Sequence, residues 1–187
     1  MDIAYSVVLL AAVYAVSEKR QLFTIALVLA IPIIAARWLN YFLQNDLFAL
    51  VSKSLTILFL IFIAITVLFH VLKDEEVTAD KIYGALVVYL LIGFTWALLF
   101  TVIEGIRPQS FLIGDLQRAS IRDMSTHFTY YSFVTLTTLG YGDITPLTPA
   151  AKTFSFMEAV FGQIYIAVLI ARLVGLHIAY SMKKDSS

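Results

Sequence analysis

The sequence predicts an all-α membrane protein with five transmembrane helices, a re-entrant short helix and a loop held at membrane depth. Three observations carry that expectation. The 187 residues are 60% hydrophobic and 14% charged, against about 25% charged in an ordinary soluble domain. The apolar residues gather into runs near the ~20 residues that cross ~30 Å of hydrocarbon as a helix. Between two of these runs lies a hydroxyl-rich, glycine-containing stretch too short to cross. Such a composition excludes both a soluble globule and a disordered chain. Thirteen basic residues balance thirteen acidic ones, so no nucleic acid partner is favoured. No cysteine is present, which excludes disulfides, thiol catalysis and thiolate metal sites.

The first run, 3–17, is short. Asp2 precedes it without a Lys or Arg, which points to a retained span rather than a signal peptide. The second, 21–43, contains Pro32, expected to kink it, and Arg37. The third, 48–72, carries Lys53 near its start and is otherwise nearly pure Leu, Ile and Phe. The fourth, 82–103, includes Gly84, Gly93 and Trp96. Residues 104–123 are too polar to span. A short helix is expected at 124–136, with Asp123 or Ser125 as its cap. A last run, 151–180, is interrupted by Lys152, Glu158, Arg172 and His177. The chain thus divides into 1–80, three spans of unassigned role, and 81–187. The second part holds an outer helix 82–103, the short helix 124–136, a loop 138–142 and an inner helix 151–180. Lys19, Arg20, Lys73, Lys81, Lys183 and Lys184 crowd the loops on one side. By the positive-inside bias this side, with the C-terminus, is cytoplasmic, and five crossings place the N-terminus outside.

The informative stretch is Thr135-Leu136-Thr137-Thr138-Leu139-Gly140-Tyr141-Gly142-Asp143. Irregular backbone at membrane depth is tolerated only where it is buried in protein or lines a water-filled path. Two glycines flanking one tyrosine let successive carbonyls turn the same way, because glycine reaches dihedrals other residues avoid. Carbonyls from several subunits can then replace the hydration shell of a monovalent cation. Thr138 adds a hydroxyl oxygen.

Thr138-Leu139-Gly140-Tyr141-Gly142 resembles the selectivity filter of the tetrameric potassium channels, with Leu139 where Val or Ile is usual. The resemblance runs from the short helix through Asp143-Ile144-Thr145-Pro146 into the last span, over roughly 82–180. It implies a homotetramer in a lipid bilayer, in which the carbonyls of Thr138, Leu139, Gly140 and Tyr141 and the Thr138 hydroxyl bind K+, with Gly142 at the outer mouth. K+ is then a permeant ligand, and no cofactor or resident metal is expected. Tyr130 and Tyr131 fall where the family has an aromatic cuff. Val134 stands where some members carry a filter-bracing acid, which leaves open how Asp143 is held. Gly162 has the spacing of the family's hinge glycine. Ile166, Ile170, Ala171 and Val174 recur at helical spacing below it and could face the cavity or form a gate.

Each residue has a plainer reading. Gly162 and Gly175 could serve close helix packing instead of bending. Glu158, an acid inside a span, is a functional candidate by default, but could equally hydrogen-bond Tyr130, Tyr131 or a hydroxyl behind the filter. Arg172 is expected to face a neighbouring helix or snorkel, with Glu75 or Glu76 as a further candidate partner. Arg37 and Lys53 are single cations on different helices, so the first three spans are not expected to sense voltage. His70, His127 and His177 lack metal-ligand spacing.

Four other classes fit less well. Gly140-Tyr141-Gly142-Asp143 matches the GxGD pattern of presenilin-like intramembrane aspartyl proteases, whose chemistry needs two carboxylates on adjacent helices. The remaining aspartates lie in loops or at chain and span ends, so no enzyme is expected. A potassium-transporter subunit would carry four degenerate repeats, whereas one intact repeat points to four identical chains. A weakly selective cation channel typically lacks the Tyr-Gly pair of Tyr141-Gly142, and a non-conducting subunit leaves the intact motif unexplained.

Overall fold

The computed structural model describes residues 46–73, 78–113 and 121–185, together with Ile31 and Ile33. The runs expected at 3–17 and 21–43 lie outside the described residues. The elements, in order, are α1 (Asp46–Lys73), α2 (Ala79–Ile106), β1 (Phe111–Ile113), α3 (Ile121–Leu136), β2 (Ile144–Pro146) and α4 (Pro149–Asp185). Among the described residues three helical stretches are long and apolar enough to cross a membrane: Leu47–Lys73, Asp80–Ile106 and Pro149–Leu176. With 16 residues at 1.5 Å each, α3 reaches about 24 Å and falls short of the bilayer core.

Helices α1 and α2 form an antiparallel pair. A Cβ on Gly84 would lie 2.8 Å from Val71, and one on Gly105 would lie 2.6 Å from Leu50. These contacts sit near opposite ends of the pair, which fixes both direction and register. Between them Phe59, Leu60, Ile63, Leu91 and Leu98 pack with Ile33 into an apolar core. A second cluster joins the other elements: Phe100 of α2, Phe111 of β1, Phe128 and Tyr131 of α3, Ile144 of β2 and Ala151 of α4. Its rings meet edge to face, Phe111 on Phe128 at 4.8 Å and Phe100 on Tyr131 at 5.1 Å, the arrangement favoured by the ring quadrupole.

Two expectations are corrected. The chain is mostly rather than purely helical: β1 pairs antiparallel with β2, Phe111 opposite Pro146 and Ile113 opposite Ile144. Strands of three residues leave no period-two pattern to read in a sequence. Helix α3 begins at Ile121, so Asp123 and Ser125 lie inside its first turns and do not cap it. The inner helix also runs further than the apolar pattern, to Asp185.

Candidate functional site

The way helix α3 ends sets the conformation of the loop behind it. The Thr138 N–H donates to the Thr135 carbonyl at 2.9 Å, and the Leu139 N–H to the Val134 carbonyl at 2.9 Å. These two bonds, with Thr138 at φ +60°, make a Schellman closure, in which the residue after the cap turns left-handed. Glycine is usual there. A β-branched threonine held at positive φ stores strain. The Gly140 N–H also donates to the Val134 carbonyl, at 3.3 Å, so one peptide oxygen gathers the start of the loop. Val134 therefore supports the segment through its backbone, and its side chain is buried.

Positive φ then recurs at every second residue: Thr138 at +60°, Gly140 at +57° and Gly142 at +81°. Leu139 and Tyr141 between them are not left-handed. Alternation of handedness turns successive peptide planes to the same side, the geometry needed for a ladder of carbonyl oxygens. A Cβ on Gly140 or Gly142 would meet nothing within 4 Å, so these glycines are required by dihedral angle and not by space.

Tyr141 is 66% exposed in the single chain and stacks on Tyr130, with ring centroids 6.4 Å apart and planes within 5°. The Tyr130 hydroxyl hydrogen-bonds to Asp143, which raises its pKa above the ordinary 10.0. Asp143 Oδ1 also accepts the Ile144 N–H at 3.1 Å. Together these contacts answer how Asp143 is held without an acid at Val134.

Behind the segment, α3 meets α4 in a series of polar and close contacts. The Tyr131 hydroxyl donates to Ser155 Oγ at 2.7 Å, and Ser155 donates to the Ala151 carbonyl at 2.8 Å. Ser132 Oγ bonds Glu158 Oε1 and lies 2.7 Å from the Gly93 carbonyl of α2. A Cβ on Gly162 would lie 2.5 Å from the Leu136 carbonyl oxygen, so close packing alone accounts for this glycine. Of the alternatives for Glu158, the geometry selects a hydroxyl behind the loop, and that hydroxyl is Ser132. The sequence offered no reason to single out Ser132, one of several hydroxyls in a hydroxyl-rich helix.

Glu104, also missed, organises the outer side. Its carboxylate accepts the N–H groups of Gln109 at 2.7 Å, Ser110 at 2.9 Å and Phe111 at 3.1 Å. The Ser110 carbonyl then receives the Leu147 N–H at 2.8 Å. The end of α2 is thereby tied to the ribbon that leads out of the loop. An acid closing an apolar run was the available signal.

Further along α4, Ile166 is half-buried, whereas Ile170, Ala171 and Val174 are exposed in the single chain. Arg172 donates to the Leu72 carbonyl at the end of α1, as expected of a residue facing a neighbouring helix. Glu75 and Glu76 lie outside the described residues. Nothing within 4 Å would oppose a Cβ on Gly175.

Comparison with known proteins bears on this site. Over 45 residues, 24% of this chain, it is 49% identical to the two pore potassium channel c of Oryza sativa subsp. japonica, covering 10% of that protein. It is 42% identical over 45 residues to the two-pore potassium channel 5 of Arabidopsis thaliana, 11% of that protein. Over 92 residues, 49% of the chain, it is 29% identical to the potassium channel K1 of Plasmodium berghei (strain Anka), 4% of that protein. The chain thus spans a small part of each relative's length. These relatives are channels, not enzymes. The model of the ion channel family matches residues 55–177, from the middle of α1 to the last third of α4. With apolar helices long enough to cross a bilayer and a family match over more than half its length, this multi-pass membrane protein belongs to the ion channel family.

Proposed function

We propose that four copies of this chain surround one axis and conduct K+ passively and selectively across a cell membrane. The path is lined by the carbonyls of Thr138, Leu139, Gly140 and Tyr141 and by the Thr138 hydroxyl, with Gly142 at its outer mouth. The observation that carries this reading is the alternation of left-handed residues at Thr138, Gly140 and Gly142 within a Thr-Leu-Gly-Tyr-Gly motif. Carbonyls aligned on one side of a strand replace a cation's water shell only when other strands complete the ring, hence four chains. Two further features support it. Leu139 and Tyr141 are 56% and 66% exposed in the single chain, surface that neighbouring subunits would cover. The C-terminus of α3 adjoins the segment, so the negative end of its dipole favours a cation there.

In this reading Asp143, Tyr130, Tyr131 and Val134 brace the filter, and Ile166, Ile170, Ala171 and Val174 line the path below it. Gly162 lets α4 approach α3 closely, and a bend there or at Gly175 is one route to gating. The C-terminus faces the cytoplasm, and the helices before residue 80 do not sense voltage.

The test is the full chain in liposomes with opposed K+ and Na+ gradients. A reversal potential close to the K+ equilibrium value is expected, and a value near zero would overturn selectivity. Gly140→Ala should abolish K+ flux with assembly intact. A methyl group at φ +57° costs about 1–2 kcal/mol per chain, repeated in every subunit around the same ring. Normal conduction by that variant would exclude the filter assignment.

A further inference from the structure

Glu158 is 0% exposed within a single chain, so its surroundings are complete before any assembly. Its Oε1 contacts Ser132 Oγ, and its Oε2 is buried without a hydrogen-bond partner. Among the described residues no lysine or arginine nitrogen lies within hydrogen-bond distance of Oε2. No tyrosine hydroxyl reaches Oε2: Tyr131 donates to Ser155, and Tyr165 donates to the Ala85 carbonyl at 2.6 Å.

Ser132 resolves what Glu158 is. A serine hydroxyl has one proton to donate, yet Ser132 Oγ stands within hydrogen-bond distance of two oxygens, the Gly93 carbonyl and Glu158 Oε1. A carbonyl only accepts. If Ser132 gives its proton to Gly93, the second bond exists only when Glu158 supplies a proton of its own. The neighbouring chain from Tyr131 through Ser155 to the Ala151 carbonyl has the same polarity, two hydroxyl donors ending on a backbone acceptor.

We propose that Glu158 is a protonated, uncharged carboxylic acid that donates to Ser132 Oγ, which donates to the Gly93 carbonyl, and that this three-helix relay is a positioning element for the Thr138–Gly142 segment. The register favours that role. Ser132 and Leu136 are four residues apart on α3, as Glu158 and Gly162 are on α4, so the relay and the Gly162–Leu136 contact form successive rungs. The upper rung ends at the helix turn from which Thr138 departs. An unpaired carboxylate in this position would carry a buried charge with no cation among the described residues to answer it, an arrangement that strongly disfavours the ionised form.

The positioning role rests on the channel reading, but the proton assignment does not. Infrared difference spectra of the full chain in liposomes, wild type against Glu158→Gln, should show the carbonyl stretch of a protonated carboxylic acid at neutral pH, lost in the variant. Its absence from the wild type would overturn the assignment. Ser132→Ala should shift that stretch, because the acid loses its acceptor, and an unmoved stretch would break the relay. For flux, Glu158→Gln should stay within threefold of wild type, because its amide can make the same donation. Glu158→Leu and Ser132→Ala should lower K+ flux at least tenfold, with K+ over Na+ discrimination reduced. Wild-type flux from both variants would exclude the positioning role. Absent flux in the wild type would count against the channel reading alone, since the infrared signal needs no conduction.

Discussion

The two halves of the described structure pack by different means. Helices α1 and α2 meet through Phe59, Leu60, Ile63, Leu91 and Leu98, with glycines 84 and 105 admitting Val71 and Leu50. Around α3 an aromatic cluster is joined by polar, directional contacts, Tyr131 to Ser155 and Ser132 to Gly93 and Glu158, and beside it Glu104 of α2 holds three consecutive N–H groups. In hydrocarbon, lipid tails are as apolar as leucine, so apolar contact adds packing without the drive it has in water. Apolar faces hold α1 to α2 while tolerating substitution. Hydrogen bonds hold α3 at one height and one rotation, as the proposed filter would require.

That contrast can be broken at graded points. Glu104→Ala should have the largest effect. It leaves the N–H groups of Gln109, Ser110 and Phe111 without their acceptor, and each of the two buried donors, Ser110 and Phe111, costs about 1–3 kcal/mol when orphaned. A fall in the unfolding midpoint in detergent, with loss of flux, is expected; an unchanged midpoint would mean the outer ribbon holds without it. Gly162→Ala comes next, at about 1–3 kcal/mol, because its Cβ meets a backbone carbonyl at 2.5 Å and that carbonyl has no room to yield.

Gly84→Ala places a Cβ 2.8 Å from Val71, a side chain that can move, so its cost should stay below that at Gly162. If Gly84→Ala proves the worse, the apolar pair is the more exacting of the two. Gly175→Ala should be smallest and opposite in sign. With nothing within 4 Å, alanine gains up to about 1 kcal/mol of helix propensity. A stabilised chain with normal flux would remove Gly175 as a bending point, whereas lost flux with normal stability would establish it as one.

Much of this arrangement was legible in the sequence, and for identifiable reasons. The spans at 48–72 and 82–103 were readable because hydrocarbon imposes a length and a composition. The loop was readable because Gly140 and Gly142 are the residues that positive φ demands. The β ribbon was not, since its pairing of Phe111 with Pro146 is non-local and three residues long. Nor was the role of Ser132, which depends on Gly93 and Glu158 arriving from two other helices. Thr138 at φ +60° was hidden for another reason: the strain belongs to the closure of α3, and a threonine carries no mark of it.

That closure has a consequence for assembly. The bond from Leu139 to Val134 and the bond from Thr138 to Thr135 end the helix and begin the loop at the same residue. No slack remains between a rigid rod and the oxygens beyond it. Sliding the loop by one position would require rewinding the helix. In the proposed tetramer each subunit would therefore carry its own datum line, and identical copies meeting around an axis would present their oxygens at a common level without having to negotiate it with one another.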